Sequence, residues 1–205
     1  TIAKIVGGNL VTTSMKDVIV EGVSTDTRDI KLHNLFIPLV GAKYDGHTFA
    51  FDAIKKGAIA TLWDKNHPTP YLDAGIIVVD DTLKAYQKLA NSYLKATKSK
   101  VIGITGSNGK TGTKDILASI LEENFRVHKT AKNLNNEIGV PKTIMEMDLD
   151  DEAIVLEMGM ERFGEISVLT NIANPDIAVI TNIGDSHLLE LGTKENIARA
   201  KFEIL

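Results

Sequence analysis

The sequence contains no cysteine. That excludes a disulfide framework and a thiolate metal site, and it fits a reducing compartment. No apolar run approaches the ~20 residues that a membrane helix needs. The N-terminus lacks the basic region and long apolar stretch of a secretory signal. There is no basic excess either: 23 Lys and Arg against 27 Asp and Glu leave a net charge of -4, which offers no face to a nucleic-acid backbone. Internal repeats and low-complexity tracts are absent. What remains is ordinary globular composition, 43% hydrophobic and 24% charged over 205 residues, enough for one large domain or two small ones. A soluble cytoplasmic α/β protein, monomeric and with no nucleic-acid or membrane partner, is expected. The chain starts at Thr1 without an initiator methionine, and "ENIARAKFEIL" breaks off inside a helical pattern with no C-cap signal, so a longer natural protein is expected.

Two halves are visible, separated by the polar stretch "KATKSK" at 95–100; the expected domains are 1–97 and 98–205. In the first, "LFIPL" (35–39), "AIATLW" (58–63) and "GIIVVDD" (75–81) read as strands. "HTFAFDAIKKGA" has helical spacing with Gly57 as its C-cap. "TLKAYQKLANSYLKA" (82–96) is an amphipathic helix with Leu83, Tyr86, Leu89, Ala90 and Tyr93 on one stripe. The second half alternates: strand "VIGIT", helix "KTGTKDILASILEEN", strand "FRVHK", helix "IGVPKTIMEM", strand "AIVLEMG", a helix over about 161–171, strand "DIAVIT" and a terminal helix. Alternation with fully apolar strands predicts a mostly parallel sheet with helices on both faces.

Ligands of open parallel sheets bind beyond the carboxyl ends of the strands. After "VIGIT" come Gly106, Ser107, Asn108, Gly109, Lys110 and Thr111; after "AIVL" comes Glu157; after "DIAVIT" come Asn182, Asp185 and His187. The two glycines permit turns that aim successive N–H groups into one concavity, and the following helix adds its positive end. Lys110 would reach terminal phosphates and the Thr111 hydroxyl would bind Mg²⁺. The longer phosphate-loop pattern needs a glycine where Ile104 stands, which weakens a GTPase or P-loop-kinase assignment. The competing reading is a strand-to-helix turn with an exposed lysine. A carboxylate ending an apolar strand, Glu157, is a metal ligand or a salt-bridged terminus. His187 is a metal-side or phosphate-side group, or structural. Asn135 and Asn136, in "NLNNEIGVP", contact a polar ligand or cap the following helix. "STDTRDI" (24–30) and "GAKYDGH" (41–47) could hold a second phosphorylated ligand, a weak signal taken alone. The histidines His33, His47, His67 and His128 form no ligand spacing.

Together these residues resemble the Mur ligases over nearly the whole chain. "TGSNGKT" matches that family's short phosphate loop, Thr-Gly-x-x-Gly-Lys-Thr, which accounts for the missing upstream glycine. "NNEIGVP", "LEMGM", "ITNIGDSHL" and "ARAKFEI" follow in the family's order, and "STDTRDIKLHNLFIPLVGAKYDGHTF" resembles its UDP-binding domain. "LEMG" points to the branch that joins D-alanyl-D-alanine to UDP-N-acetylmuramoyl-tripeptide, using ATP and Mg²⁺, in peptidoglycan precursor synthesis. The resemblance implies a two-step reaction through an acyl phosphate. It puts Lys110 on the β- and γ-phosphates, and Thr111, Glu157 and His187 near Mg²⁺. Lys201 aligns with a lysine that becomes carbamylated to hold a second Mg²⁺; from the residues alone Lys201 reads as a helix-surface lysine. Asn135 and Asn136 would face nucleotide or muramoyl substrate, and Asp26, Thr27, Arg28 and Lys43 the UDP moiety. Two positions depart from the pattern: Gly112 replaces a hydroxyl residue and Lys132 a glycine. The family's third domain, which contacts adenine and the incoming dipeptide, has no counterpart here, so this stretch is not expected to complete the reaction alone. Alternatives are a MurE-type or folylpolyglutamate-synthase-like ligase, or a nucleotide-binding module without catalysis.

Overall fold

A computed structural model of the chain describes residues 1–12 and 17–205. The chain parts into two compact units, Thr1–Leu89 and Ala90–Leu205.

In the first unit, α1 (Ile2–Val6) and β1 (Asn9–Leu10) precede β2 (Gly22–Ser24) and β3 (Asn34–Phe36). A 3₁₀ turn (Gly46–Phe49), α2 (Ala50–Lys55), β4 (Ala60–Asp64) and β5 (Gly75–Val79) follow, and α3 (Thr82–Thr97) runs across the division between units. The sheet order is β1-β5-β4-β3-β2, and all neighbours are parallel except β1 with β5. Phe36, Trp63 and Ile76 from the sheet bury against Ala50 and Ala53 of α2. Two of the five strands escape a sequence reading, because β1 and β2 are too short to display alternation. Of "LFIPL", Leu35 and Phe36 are paired in the ladder; Pro38 has no N–H to extend it.

The second unit holds β6 (Lys100–Thr105), α4 (Lys110–Leu121), β7 (Val127–Lys129), α5 (Gly139–Met145), β8 (Ala153–Glu157), α6 (Glu165–Ala173), β9 (Ile177–Ile180), α7 (Leu188–Leu191) and α8 (Lys194–Phe202). Its four strands are parallel in the order β7-β8-β6-β9. Alternation divides each central strand between two cores. Val101, Ile154 and Leu156 face a cluster with α5, α6 and α8, while Ile102, Ile104, Ala153 and Val155 face Ala118 and Leu117 of α4. All five residues of β8 are therefore buried, which is why the strand reads as an unbroken apolar run. Each fully buried Ile or Leu contributes about 1.5–3 kcal/mol. Asn91 fastens α3 to the end of α6: its side-chain amide donates to the carbonyls of Asn171 (3.2 Å) and Ile172 (2.8 Å). No helix among the described residues is long and apolar enough to cross a membrane.

Candidate functional site

The carboxyl edge of the four-stranded sheet carries the chemistry. Between β6 and α4, residues 106–109 turn back through two glycines. Gly109 caps α4 in the left-handed region at φ 80, and Gly106 has φ 149. A Cβ at Gly106 would sit 1.9 Å from Thr181 Oγ1, whereas one at Gly109 meets nothing within 4 Å. The loop is laced to the end of β9. Asn182 Oδ1 accepts from Asn108 N–H (2.9 Å), Thr181 Oγ1 donates to Asn108 O (2.6 Å), and Gly184 N–H donates to Ser107 Oγ (2.8 Å). Gly106→Ala is therefore expected to destabilise this unit by roughly 2–4 kcal/mol through steric overlap and backbone strain. Gly109→Ala, strained but not crowded, costs about 1–2 kcal/mol. Urea unfolding of the two variants checks the order; equal effects would mean that the Thr181 contact does not constrain the loop.

Lys110 opens α4, and its ammonium donates to Gly106 O at 2.8 Å and, more weakly, Ser107 O at 3.5 Å. One residue on, Thr111 Oγ1 donates to Glu157 Oε2 (2.8 Å), and Asn135 Nδ2 donates to Glu157 Oε1 (2.9 Å). Glu157 ends β8 at 3% exposure and makes no ion pair among the described residues. A buried anion satisfied only by a neutral hydroxyl and a neutral amide suits a cation. The neighbouring Asn136 satisfies N–H groups leading into α5: its Oδ1 accepts from Ile138 N–H at 3.2 Å and Gly139 N–H at 2.8 Å.

Lys110, Asn135, Asn136, His187 and Lys201 line one cleft of 390 Å³ in this unit. His187 precedes α7 at φ 67. Asn182 backs the phosphate loop, while Asp185 instead pairs with Lys194 at 3.8 Å. The surface reading of Lys201 is overturned: the side chain is 2% exposed. The cause is the helix period, which puts Lys201 on the same buried stripe of α8 as Ile197 and Ala200. Burial, with a smaller contribution from the nearby Lys110 charge, pushes the Lys201 amine down from 10.5 to about 8. Sequence reasoning did not pick out Glu137, Glu161 and Glu165, which line the same cleft, because nothing marks them off from surface carboxylates. Of the two departures from the family pattern, Gly112 leaves open space for a side chain, and Lys132 sits at φ 50, a backbone region that favours glycine.

In the first unit, the loops after β2 and β3 leave the same edge of the sheet, joined by Ile37 N–H donating to Ser24 O (2.9 Å). The Asp26 carboxylate clasps Arg28, accepting from its Nε at 2.9 Å and its backbone N–H at 2.9 Å, with Nη2 a further contact. Thr27 O accepts from Lys56 Nζ (2.9 Å), and Lys43 is exposed.

Two of the histidines that show no ligand spacing in the sequence, His47 and His67, nevertheless meet in the fold. His47 and His67 stack with ring centroids 3.9 Å apart, and Asp45 bridges them, at 2.7 Å to His47 Nδ1 and 2.8 Å to His67 Nε2. These three residues could be grouped as metal ligands, but the hydrogen bonds argue otherwise. His47 Nε2 accepts from Asp64 N–H (3.2 Å), which fixes the proton on Nδ1, the atom a metal would need bare. Burial raises the Asp45 carboxyl; the His47 backbone N–H and the two imidazoles outweigh it and hold the group down at about 2. A depressed carboxyl contributes stability above its unfolded value of 3.8 that is lost as pH falls toward 2. Asp45→Asn is expected to cost about 1 kcal/mol at pH 7, modest because the carboxylate is partly solvated. The difference from wild type should shrink as pH falls from 3.8 and vanish only below about pH 2 in pH-dependent urea unfolding; a difference that does not shrink over that interval would contradict the assignment.

A parallel sheet with a phosphate loop after one strand, a buried carboxylate after the next and a lysine-lined cleft beside them defines an α/β phosphate-loop fold. Two family models match: Mur ligase middle domain over residues 104–205, and Mur ligase family, catalytic domain, over residues 19–94. The chain belongs to the Mur ligase family. It is 50% identical over 204 residues to the UDP-N-acetylmuramoyl-tripeptide--D-alanyl-D-alanine ligase of Bacillus subtilis, covering 100% of this chain and 45% of that relative. Among solved structures, a MurF from Acinetobacter baumannii superposes with a TM-score of 0.92 at 32% identity, over 99% of this chain and 44% of that one. The MurF ligase of Thermotoga maritima in complex with ADP gives 0.83 at 36% identity, over 93% and 44%. The chain thus spans less than half the length of these relatives.

Proposed function

We propose that this chain carries the UDP-substrate domain (1–97) and the nucleotide-binding central part (98–205) of a cytoplasmic ATP-dependent ligase that adds D-alanyl-D-alanine to UDP-N-acetylmuramoyl-tripeptide. The observation that carries this reading is the convergence of Lys110, Asn135, His187 and the buried Lys201 on one cleft beside Glu157. It occurs in a chain half identical along its whole length to a ligase of that name.

Each residue has a physical task. Lys110 exchanges its loop carbonyls for the terminal phosphates of ATP, while the N–H groups of 106–109 and the start of α4 hold the remaining phosphate charge. Thr111, Glu157 and His187, with Lys201 once carbamylated, are the groups that would hold Mg²⁺. When bound, that ion neutralises charge at the reacting phosphate. The tripeptide carboxylate takes the γ-phosphoryl group to form an acyl phosphate, and the dipeptide amine displaces phosphate from that carbonyl. Positioning and charge neutralisation supply the acceleration. The clasped Arg28 and Asp26, with Thr27 and Lys43, face the UDP moiety.

The test is phosphate release by the whole protein given ATP, Mg²⁺, UDP-N-acetylmuramoyl-tripeptide and D-alanyl-D-alanine. Release is expected only with all four present. Folded protein that releases none refutes the reading.

A further inference from the structure

The pairing of β7 with β8 breaks its own pattern at Thr130. The register matches His128 with Ile154 and Lys129 with Val155, so Thr130 would lie opposite Leu156. A regular parallel ladder then requires Thr130 N–H to donate to Val155 O and Glu157 N–H to donate to Thr130 O. The first bond is present at 3.0 Å. The second is not: Glu157 N–H donates to the Thr130 hydroxyl instead, at 2.9 Å. The Thr130 carbonyl is taken by Lys114 Nζ at 2.8 Å.

Lys114 is itself unusual. It is 4% exposed, on α4, and its acidic neighbour is Asp115 at 3.4 Å, a carboxylate that also pairs with Lys129 at 3.3 Å. Burying an ammonium is costly, and an apolar side chain would serve ordinary helix–sheet packing at that position. Its contacts close a ring. Thr111 and Lys114 stand one turn apart on the same face of α4. Thr111 holds the Glu157 carboxylate, Glu157 N–H is held by Thr130 Oγ1, and the Thr130 carbonyl is held by Lys114. Diverting that carbonyl also ends β7, so that the chain turns away through 131–134 and brings Asn135 back to Glu157 Oε1.

We propose that Lys114 is a positioning residue for the Glu157 site: by drawing the Thr130 carbonyl out of the ladder, it ends the edge strand and sets the Glu157 carboxylate between Thr111 and Asn135. This rests on the proposed role of Glu157 in holding the nucleotide-bound cation.

The test uses Lys114→Met, which keeps the stem and removes the donor, and Thr130→Val, which keeps the shape and removes the hydroxyl, with Thr130→Ser as the rescue. Calorimetric titration with Mn²⁺–ADP is expected to show about a tenfold or greater loss of affinity in the first two variants, near-normal affinity in Thr130→Ser, and a double variant no weaker than the single ones. Through-hydrogen-bond NMR coupling between Glu157 N and the Thr130 carbonyl carbon should be absent in wild type and appear in Lys114→Met as the ladder becomes regular. Unchanged Mn²⁺–ADP affinity in folded Lys114→Met, or additive losses in the double variant, overturns the proposal. Wild-type protein that binds no Mn²⁺–ADP overturns the nucleotide reading instead, and the NMR coupling then decides by itself whether Lys114 sets this strand end.

Discussion

Lys110→Ala should abolish turnover, with at least a thousandfold loss, and leave the fold intact. Both halves follow from where the ammonium sits. It rests on the carbonyls of Gly106 and Ser107, within its own loop, so removing it breaks no hydrogen bond to another element among the described residues. Loss of a partly solvated hydrogen bond of this kind costs on the order of 1 kcal/mol. On the proposed function phosphate transfer depends on it far more, because a fixed positive charge at the terminal phosphates would act where charge moves in the transition state. The variant carries a second signature. The Lys110 charge is one of the two causes that push Lys201 down to about 8, so its removal should raise the proton affinity of the Lys201 amine, leaving burial as the remaining depressor. The measurements are phosphate release, ADP titration and urea unfolding on the same preparation. Surviving turnover would mean that the loop does not bind the transferred phosphate.

Strand-end reasoning made the phosphate loop and Glu157 legible, since in a parallel sheet the residue after each apolar run must lie on one edge. It succeeded for β6 and β8 because burial on both faces leaves an unmistakable apolar signature. It failed where physical spacing is not sequence spacing. Thr130 and Lys114 lie 16 positions apart, and neither stands in a pattern that suggests a meeting. Asp45, His47 and His67 gather only because the turn after β4 folds His67 back over His47. Lys201 is a different kind of miss. The terminal helix is legible as a helix, but placing Lys201 beside Ile197 and Ala200 on its buried side requires accepting a buried amine, which composition rules argue against. Exceptions of that kind concentrate at functional sites.

That amine carries the other large expectation, in which stability and activity move in opposite directions. Lys201→Met should eliminate ligase turnover and make this unit more stable at pH 7 by on the order of 2–3 kcal/mol. Lys201 is 2% exposed, its side-chain amine has no hydrogen bond or ion pair among the described residues, and that amine is depressed from 10.5 to about 8. A base whose affinity for protons falls on folding opposes folding wherever the unfolded chain is protonated. The cost is full below pH 8, shrinks as pH rises from 8 to 10.5, and is gone above that. Wild type should therefore gain stability across that interval, and the methionine variant, of similar length and apolar, should not. Bicarbonate supplies the complementary observation. Carbamylation converts the amine to an anion facing Lys110, replacing repulsion with attraction, so bicarbonate should stabilise wild type and leave Lys201→Met unchanged. Urea unfolding at pH 7 and pH 9.5, with and without bicarbonate, reads all of these differences. A methionine variant less stable than wild type at pH 7 would mean that the buried ammonium is favourably held, and the carbamate role would lose its physical ground.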